Sequence, residues 1–463
     1  MKGLVRLSAV IARHLPEPEE RVGCLIMGAL LIWLLLTQMA AIHSTLNGVS
    51  AVEDPYSEAN AIRAAQHYAE KGFLTDAGLP HVTYGDRFPL DGWVKDLDRS
   101  PLPSGVYTRY PPVPDLICGV LEKLVGFDHL WTWRLLPVGF GLSTMIYAFF
   151  SFKNSFGPVA SGVMTTLLFA VPMATSYMHG LHYQGYAHSV FLVQLCFLVR
   201  IFFARRAPRF GSYAALFGFG FVQGWLSFEY AFIVMGAAIP IALIARANGY
   251  DGSVRPTLFL VVSSGAGFTI AHILHFLQVA SFYGSVAMAL QDYLGRAAYR
   301  LVGEGESSYL TLVLRVLRRY SVELWFSPHR GSFGFLLPFL SAAVLFDRVK
   351  AVSVAKEDWS KTRHYLAVLL DGNVVLPVIL SYVFAALWLF AMPSMSMMHM
   401  HIVPRIFFLP YFVLVLIAAI RTLELLARVN WTHSTSSIQP NLMTNMATNA
   451  ARTEACLPTY LHR

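Results

Sequence analysis

Glu53, Asp54 and Glu58 place three carboxylates within six residues, in Ala51-Val52-Glu53-Asp54-Pro55-Tyr56-Ser57-Glu58, directly after the first long apolar run. A carboxylate at a membrane surface can take the proton of an attacking hydroxyl on a substrate held in lipid. Asp54 also fits a helix N-cap, because Pro55 suits the first helical position. A capping carboxylate keeps one oxygen free, so the two roles are compatible. Glu58 follows one helical turn later and can share the site. Glu229, in Gly224-Trp225-Leu226-Ser227-Phe228-Glu229-Tyr230, is a carboxylate flanked by aromatics at the expected outer turn of a tight hairpin. Such a group is a functional candidate, with pairing to an Arg on a neighbouring helix as the alternative. Arg405, in His399-Met400-His401-Ile402-Val403-Pro404-Arg405, has the planar fork that grips a phosphate, or it anchors to headgroups. The histidines recur in pairs near the ends of apolar runs: His179 with His182, His272 with His275, His399 with His401. Imidazole costs less in a membrane than a fixed charge and can bind phosphate or metal.

The composition says what must position these groups. Apolar residues make up 56% of the 463 and charged residues 13%, with 33 Phe, which excludes an ordinary soluble domain. Long unbroken apolar runs indicate an all-α polytopic membrane protein rather than a barrel of short alternating strands. The formal charge of +8 needs no nucleic acid, since Lys and Arg collect in loops on the cytoplasmic side. Cys24, Cys118, Cys196 and Cys456 lie far apart, without the Cys-x-x-Cys spacing of a metal or redox centre.

Along the chain, residues 1–21 read as a cytoplasmic N-terminus and the run from Val22 to Ile42 as a signal anchor, too long for a cleaved signal peptide. Residues 43–130 form a large outer loop. Within it Ile62, Ala65, Ala69 and Phe73 recur at helical spacing, as in a helix lying on the membrane surface. Further spans are expected near 131–151, 158–176, 186–204, 211–227, 229–247, 256–279, 333–347, 366–391 and 404–427, about ten in all at roughly 20 residues per crossing. Lys153, Arg205, Arg206, Arg209, Arg246, Arg255, Arg348 and Lys350 fall between spans in the alternation that the positive-inside rule requires. Residues 281–331 read as a second outer segment of one or two surface helices, and 428–463 as a polar cytoplasmic tail. The whole of 22–427 is then one transmembrane domain. The sequence has no internal repeat, no Gly-rich phosphate loop and no His-Glu-x-x-His, so nucleotide hydrolysis and a zincin site find no support.

One span, a large outer loop that opens with acids, and the segment Thr108-Arg109-Tyr110-Pro111-Pro112-Val113-Pro114 before the next span resemble the GT-C glycosyltransferases. Within them the chain is most similar to the protein O-mannosyltransferases and the lipid A aminoarabinose transferases, over roughly residues 20–135. Those relatives usually read Asp-Glu where this chain has Glu53-Asp54, so the base falls to either residue. The resemblance implies inverting transfer of a hexosyl or pentosyl group from a polyprenyl-phosphate donor to a lipid, glycan or protein hydroxyl. The active site would lie on the extracytoplasmic side of a cell-envelope membrane. It implies catalysis by Asp54, Glu53 and Glu58, a donor phosphate held by Arg405, His401, His399 and Tyr110, and a substrate pocket with Glu229, His179, His182 and His275. Some members use a divalent metal and others do not, so no cofactor is fixed. A transporter or flippase of a lipid or small solute is the alternative, with Glu229 and the histidines as its path. The size of the first outer loop and the lack of repeats weigh against it.

Overall fold

The computed structural model describes residues 18–45, 55–85, 105–204, 207–250, 252–302, 308–326, 333, 336–344, 374–398 and 402–433. Glu53, Asp54, His399 and His401 lie outside these residues, as does most of the expected tail. The described part is an all-α, multi-pass membrane protein with a large helical region outside the membrane. Its first helix, α1 (Pro18–Thr45), carries Glu19 and Glu20 in the first turn and His43 in the last, matching the helix dipole at both ends. Its 28 residues span about 42 Å, more than the ~30 Å of bilayer hydrocarbon.

After α1 come α2 (Pro55–Lys71) and α3 (Val113–Val125). The expectation that α2 lies on the membrane surface needs correction. Ala61, Ile62, Arg63, Ala64 and Ala65 are buried in succession, more than one face of a helix, because α3, Trp133 and Leu181 close over it. The bundle continues through α4 (Leu135–Phe156), α5 (Pro158–Phe169), α6 (Tyr183–Phe202), α7 (Phe210–Leu226), α8 (Ala231–Gly236), α9 (Ala238–Ala247) and α10 (Val254–Tyr283). Beyond it come α11 (Val286–Val302) and α12 (Tyr309–Phe326), then α13 (Val375–Ala391), α14 (Pro393–Met398), α15 (Ile402–Ile406) and α16 (Phe408–His433). The described residues of segment 281–331 thus hold two helices, as its amphipathic pattern predicts. α12 buries Val313 and Val316 and exposes Leu310, Leu314 and Leu317.

Five helical stretches are long and apolar enough to cross a membrane: Pro18–Thr45, Phe127–Phe156, Tyr183–Phe202, Val254–Tyr283 and Ile402–Leu423. Three other expected spans are realised as shorter apolar helices, Pro158–Phe169, Ala231–Ala247 and Val375–Ala391. The physical reason for the breaks is proline, whose ring clashes with the carbonyl four residues back. Pro137 interrupts the helix at Trp133-Arg134, Pro172 stops α5 before Val171, Pro240 separates α8 from α9, and Pro410 separates α15 from α16. A hydropathy window sums composition and does not register such breaks.

Small residues set the closest packing. A Cβ on Gly220 of α7 would lie 2.0 Å from the Ser264 carbonyl oxygen of α10, and one on Gly267 of α10 would lie 2.0 Å from the Phe217 carbonyl. This reciprocal seam lets the two backbones meet, as small residues do between membrane helices. It fixes α10, whose last turns carry His272 and His275.

Topology can be read by cysteine labelling. Cys118 and Cys196 are buried, so removing Cys24 and Cys456 leaves a quiet background. A cysteine replacing Leu74, which is 90% exposed, is expected to react with an impermeant maleimide from outside intact cells. One replacing Phe210, just after the basic Arg205-Arg206 pair, is expected to react only after permeabilisation. The reverse pattern would invert the orientation.

Candidate functional site

The helices enclose two adjoining spaces separated by an aromatic wall. The larger, about 240 Å³, lies between α8, α10, α11 and α13. Arg109, Arg296, Arg300, His272 and His275 line it together with Phe228, Phe232, Phe268 and Trp388. On α11, Asp292, Arg296 and Arg300 follow at four-residue intervals and so share one helix face. Arg296 forms an ion pair with Asp292. The Thr108 hydroxyl donates to Asp292 Oδ2 at 2.9 Å, while the Thr108 carbonyl accepts from Arg296 and from His275 Nε2 at 3.1 Å. Gln278, 3.2 Å from His275 Nδ1, donates to the Ala77 carbonyl at 2.9 Å, which ties the end of α10 to the segment after α2. The Arg300 guanidinium lies 3.9 Å over the Phe228 ring. Burial pushes the Arg296 guanidinium down to about 9, and Arg300 and Arg109 add to the shift. Burial also lowers Arg300. Both stay charged at neutral pH, and cations crowded in this way favour an anion between them.

The wall is a stack of rings in which Phe228 lines the larger space and Tyr110 the smaller. The Tyr110 ring stacks on Tyr183 at 5.0 Å, on Phe228 at 4.8 Å and on Tyr107 at 5.9 Å. The wall is braced from within the bundle. The Tyr183 hydroxyl donates to Glu229 Oε1 at 2.6 Å, and Glu229 Oε2 lies 3.4 Å from Arg405. Arg405 is fully buried and sits 5.1 Å from the Tyr177 ring centroid.

On the other side of Tyr110 is a narrow cleft of about 40 Å³. Ser57 and Asn60 reach it from α2, Asp115 from the first turn of α3, and His182 and Tyr183 from the start of α6. Burial raises the Asp115 carboxyl to about 7. His182 caps α6 by accepting the Gln184 N–H through Nδ1 at 3.1 Å, so its ring is in the uncharged form.

Beneath this cleft lies a buried clamp. Arg134 donates to both oxygens of Glu58, at 2.7 and 2.9 Å, and to the His179 carbonyl at 3.1 Å. The Leu181 N–H adds a third bond to Glu58 at 3.2 Å. His179 Nδ1 lies 3.1 Å from Gln38 Oε1, and Gln38 donates to the Thr175 carbonyl at 3.0 Å. The interrupted helix at Trp133-Arg134 aims the guanidinium at α2.

The expected residues are therefore divided among several surroundings. Glu58 and His179 belong to the clamp, and the three bonds to Glu58 fit a structural ion pair rather than a proton acceptor. Arg405 and Glu229 face each other inside the bundle, and neither is in the lining of these two spaces. His275 reaches the large cavity, while Tyr110 and His182 reach the cleft. Sequence reasoning missed Arg109, Arg296, Arg300, Asn60 and Asp115. The four-residue spacing of Asp292, Arg296 and Arg300 was the available signal, masked by the apolar pattern around it. Among the described residues no group of three or more His, Cys, Asp or Glu side chains is placed to hold a metal ion. No protein-family model, curated protein or solved structure matches the chain.

Proposed function

We propose that this protein is a membrane-embedded glycosyltransferase that moves a sugar from a polyprenyl-phosphate donor to an acceptor hydroxyl, within a GT-C-like fold. The observation that carries this reading is the larger cavity. It combines Arg109, Arg296 and Arg300 with Phe228, Phe268 and Trp388 near the end of a long apolar helix. A phosphate on a lipid tail needs both halves of that lining: guanidiniums for the anion and apolar surface for the first isoprene units. A free anion would not need the aromatic half.

In this reaction a carboxylate, Asp54 or Glu53, takes the acceptor proton as the oxygen attacks the anomeric carbon. The sugar–phosphate bond breaks with its electron pair going to the phosphate, and the configuration inverts. Arg296 and Arg300 hold the charge that grows on the departing phosphate in a water-poor site. His275, which donates to the Thr108 carbonyl, positions Arg109 and the Tyr110 wall.

Arg300→Ala and Arg296→Ala are each expected to weaken binding of a fluorescent polyprenyl phosphate on the order of 10- to 100-fold, the worth of a hydrogen bond to a charged group. Arg315→Ala, on the exposed side of α12, is expected to bind like the unaltered protein. Unchanged binding in both cavity variants would remove the phosphate from this cavity. The transporter reading draws on one observation, the buried Glu229–Arg405 pair among tyrosines inside the bundle. Lipid or solute flux in proteoliposomes that Glu229→Gln abolishes, with no sugar transfer, would favour it.

A further inference from the structure

We infer that the narrow cleft is the acceptor subsite, and that it selects an uncharged hydroxyl arm over a phosphate-bearing acceptor, with Asp115 as the residue that reads it. This deepens the glycosyltransferase reading and rests on it. The two spaces beside Tyr110 differ in charge. The larger one has three guanidiniums in its lining. Among the described residues the cleft has no Lys or Arg in its lining: its polar groups are the Ser57, Tyr107, Tyr110 and Tyr183 hydroxyls, the Asn60 amide, the His182 ring and the Asp115 carboxyl. His182 is uncharged there because Nδ1 accepts the Gln184 N–H. The nearby guanidinium, Arg134, is engaged by both oxygens of Glu58. An anion entering would meet a carboxylate and no compensating cation, whereas a hydroxyl would meet donors and acceptors on every side.

Size points the same way. A buried water needs about 10–15 Å³ on this measure, so a cleft of about 40 Å³ admits about three water-sized groups. That is a hydroxymethyl or secondary hydroxyl arm, not a whole sugar. Asn60 Oδ1 is buried with no hydrogen-bond partner among the described residues, so an acceptor O–H would satisfy it. Tyr110, which lines the cleft, stacks at 4.8 Å on Phe228, which lines the larger space, so this pair of rings would separate the acceptor hydroxyl from the donor phosphate.

The groups that face Asp115 are Tyr107 and Tyr110 before it, Tyr68 on α2, Cys118 on its own helix, and His182 and Tyr183 on the start of α6. None of them carries a fixed positive charge. The carboxyl, raised from an ordinary 3.8 to about 7 by burial, is thus protonated over part of the accessible range. A folded-state value above the unfolded one means that this carboxyl opposes folding as pH rises through it, so Asp115→Asn is expected to fold at least as well as the unaltered protein at pH 8.

The test uses the full chain in phosphatidylcholine nanodiscs, free of glycoside detergent. A labelled polyprenyl-phosphate sugar is offered with two acceptors of one chain length, decyl β-D-glucoside and decyl phosphate. Transfer is expected to the glucoside and not to the phosphate. Asp115→Asn is expected to raise the KM for the glucoside on the order of 10- to 100-fold while kcat stays within about threefold, the signature of lost uniform binding. Equal use of decyl phosphate, or an unchanged KM in Asp115→Asn, overturns the inference. A second readout needs no turnover: at pH 6 a hydrophobic carbodiimide should label Asp115, seen by peptide mass spectrometry, and decyl glucoside should protect it where decyl phosphate does not. Protection by the phosphate, or none by the glucoside, overturns the inference. If no sugar is transferred to either acceptor, the glycosyltransferase reading falls, and the protection pattern still decides what the cleft takes.

Discussion

Asp54→Asn is expected to lower sugar transfer by roughly 10² to 10⁴ in kcat, the usual contribution of a general base, while the protein folds normally. The two roles open to Asp54 respond differently to this change. Asn and Asp rank alike as N-caps, so a purely structural Asp54 would leave turnover intact. A base would be lost outright, because an amide cannot take a proton at neutral pH. Glu53→Gln run in parallel decides which of the two adjacent acids holds the position, since this chain orders them Glu-Asp. The measurement is transfer of labelled sugar by monodisperse protein, with thermal stability recorded for each variant. Near-normal transfer by both variants would leave the reaction without a base from this stretch. Because Asp115 is expected to act on KM, the two carboxylates separate in one set of kinetics.

How much of this was legible in the sequence follows from what each kind of pattern can carry. Apolar runs identified the class and the five longest crossings, because burial in lipid needs only composition over about 20 residues. They overstated the number of long crossings where Pro172, Pro240 and others break the ladder within an apolar run. The surface helices of 281–331 were visible in the alternation of Leu with Arg. The cavity they help to form was not. Arg296 and Arg300 read as one more basic pair on an amphipathic helix, and only the packing of α11 over α10 turns them toward His272 and His275. Asp115 was hidden for the opposite reason: a single acid after Pro111-Pro112-Val113-Pro114 looks like first-turn helix chemistry, and its value lies in what α2 and α6 place around it. Arg405 and Glu229 were singled out correctly as ionisable groups within apolar runs. The sequence could not show that they are partners, 176 residues apart along the chain and 3.4 Å apart in space.

Glu58 shows how a residue well chosen for chemistry can be held by structure, and the consequence is a stability effect larger than a cap or a surface pair would give. Glu58→Gln or Arg134→Met alone is expected to cost roughly 3–5 kcal/mol of stability, because each leaves the other charge buried and uncompensated. Both side chains are fully excluded from solvent. The double change Glu58→Leu with Arg134→Met removes both charges, and replacing a buried ion pair by apolar groups is often nearly neutral. Here it also strips partners from the Leu181 N–H and the His179 carbonyl, at about 1–3 kcal/mol for each buried group left unsatisfied. The double variant should therefore fall between the unaltered protein and the singles, and the two single effects should not add. Thermal midpoints in detergent give this cycle directly. The decisive comparison is activity per folded molecule. A clamp predicts that the folded fraction of Glu58→Gln turns over at close to the normal rate, because the residue touches neither cavity. An unshifted midpoint with transfer abolished would return Glu58 to the catalytic acids beside Glu53 and Asp54.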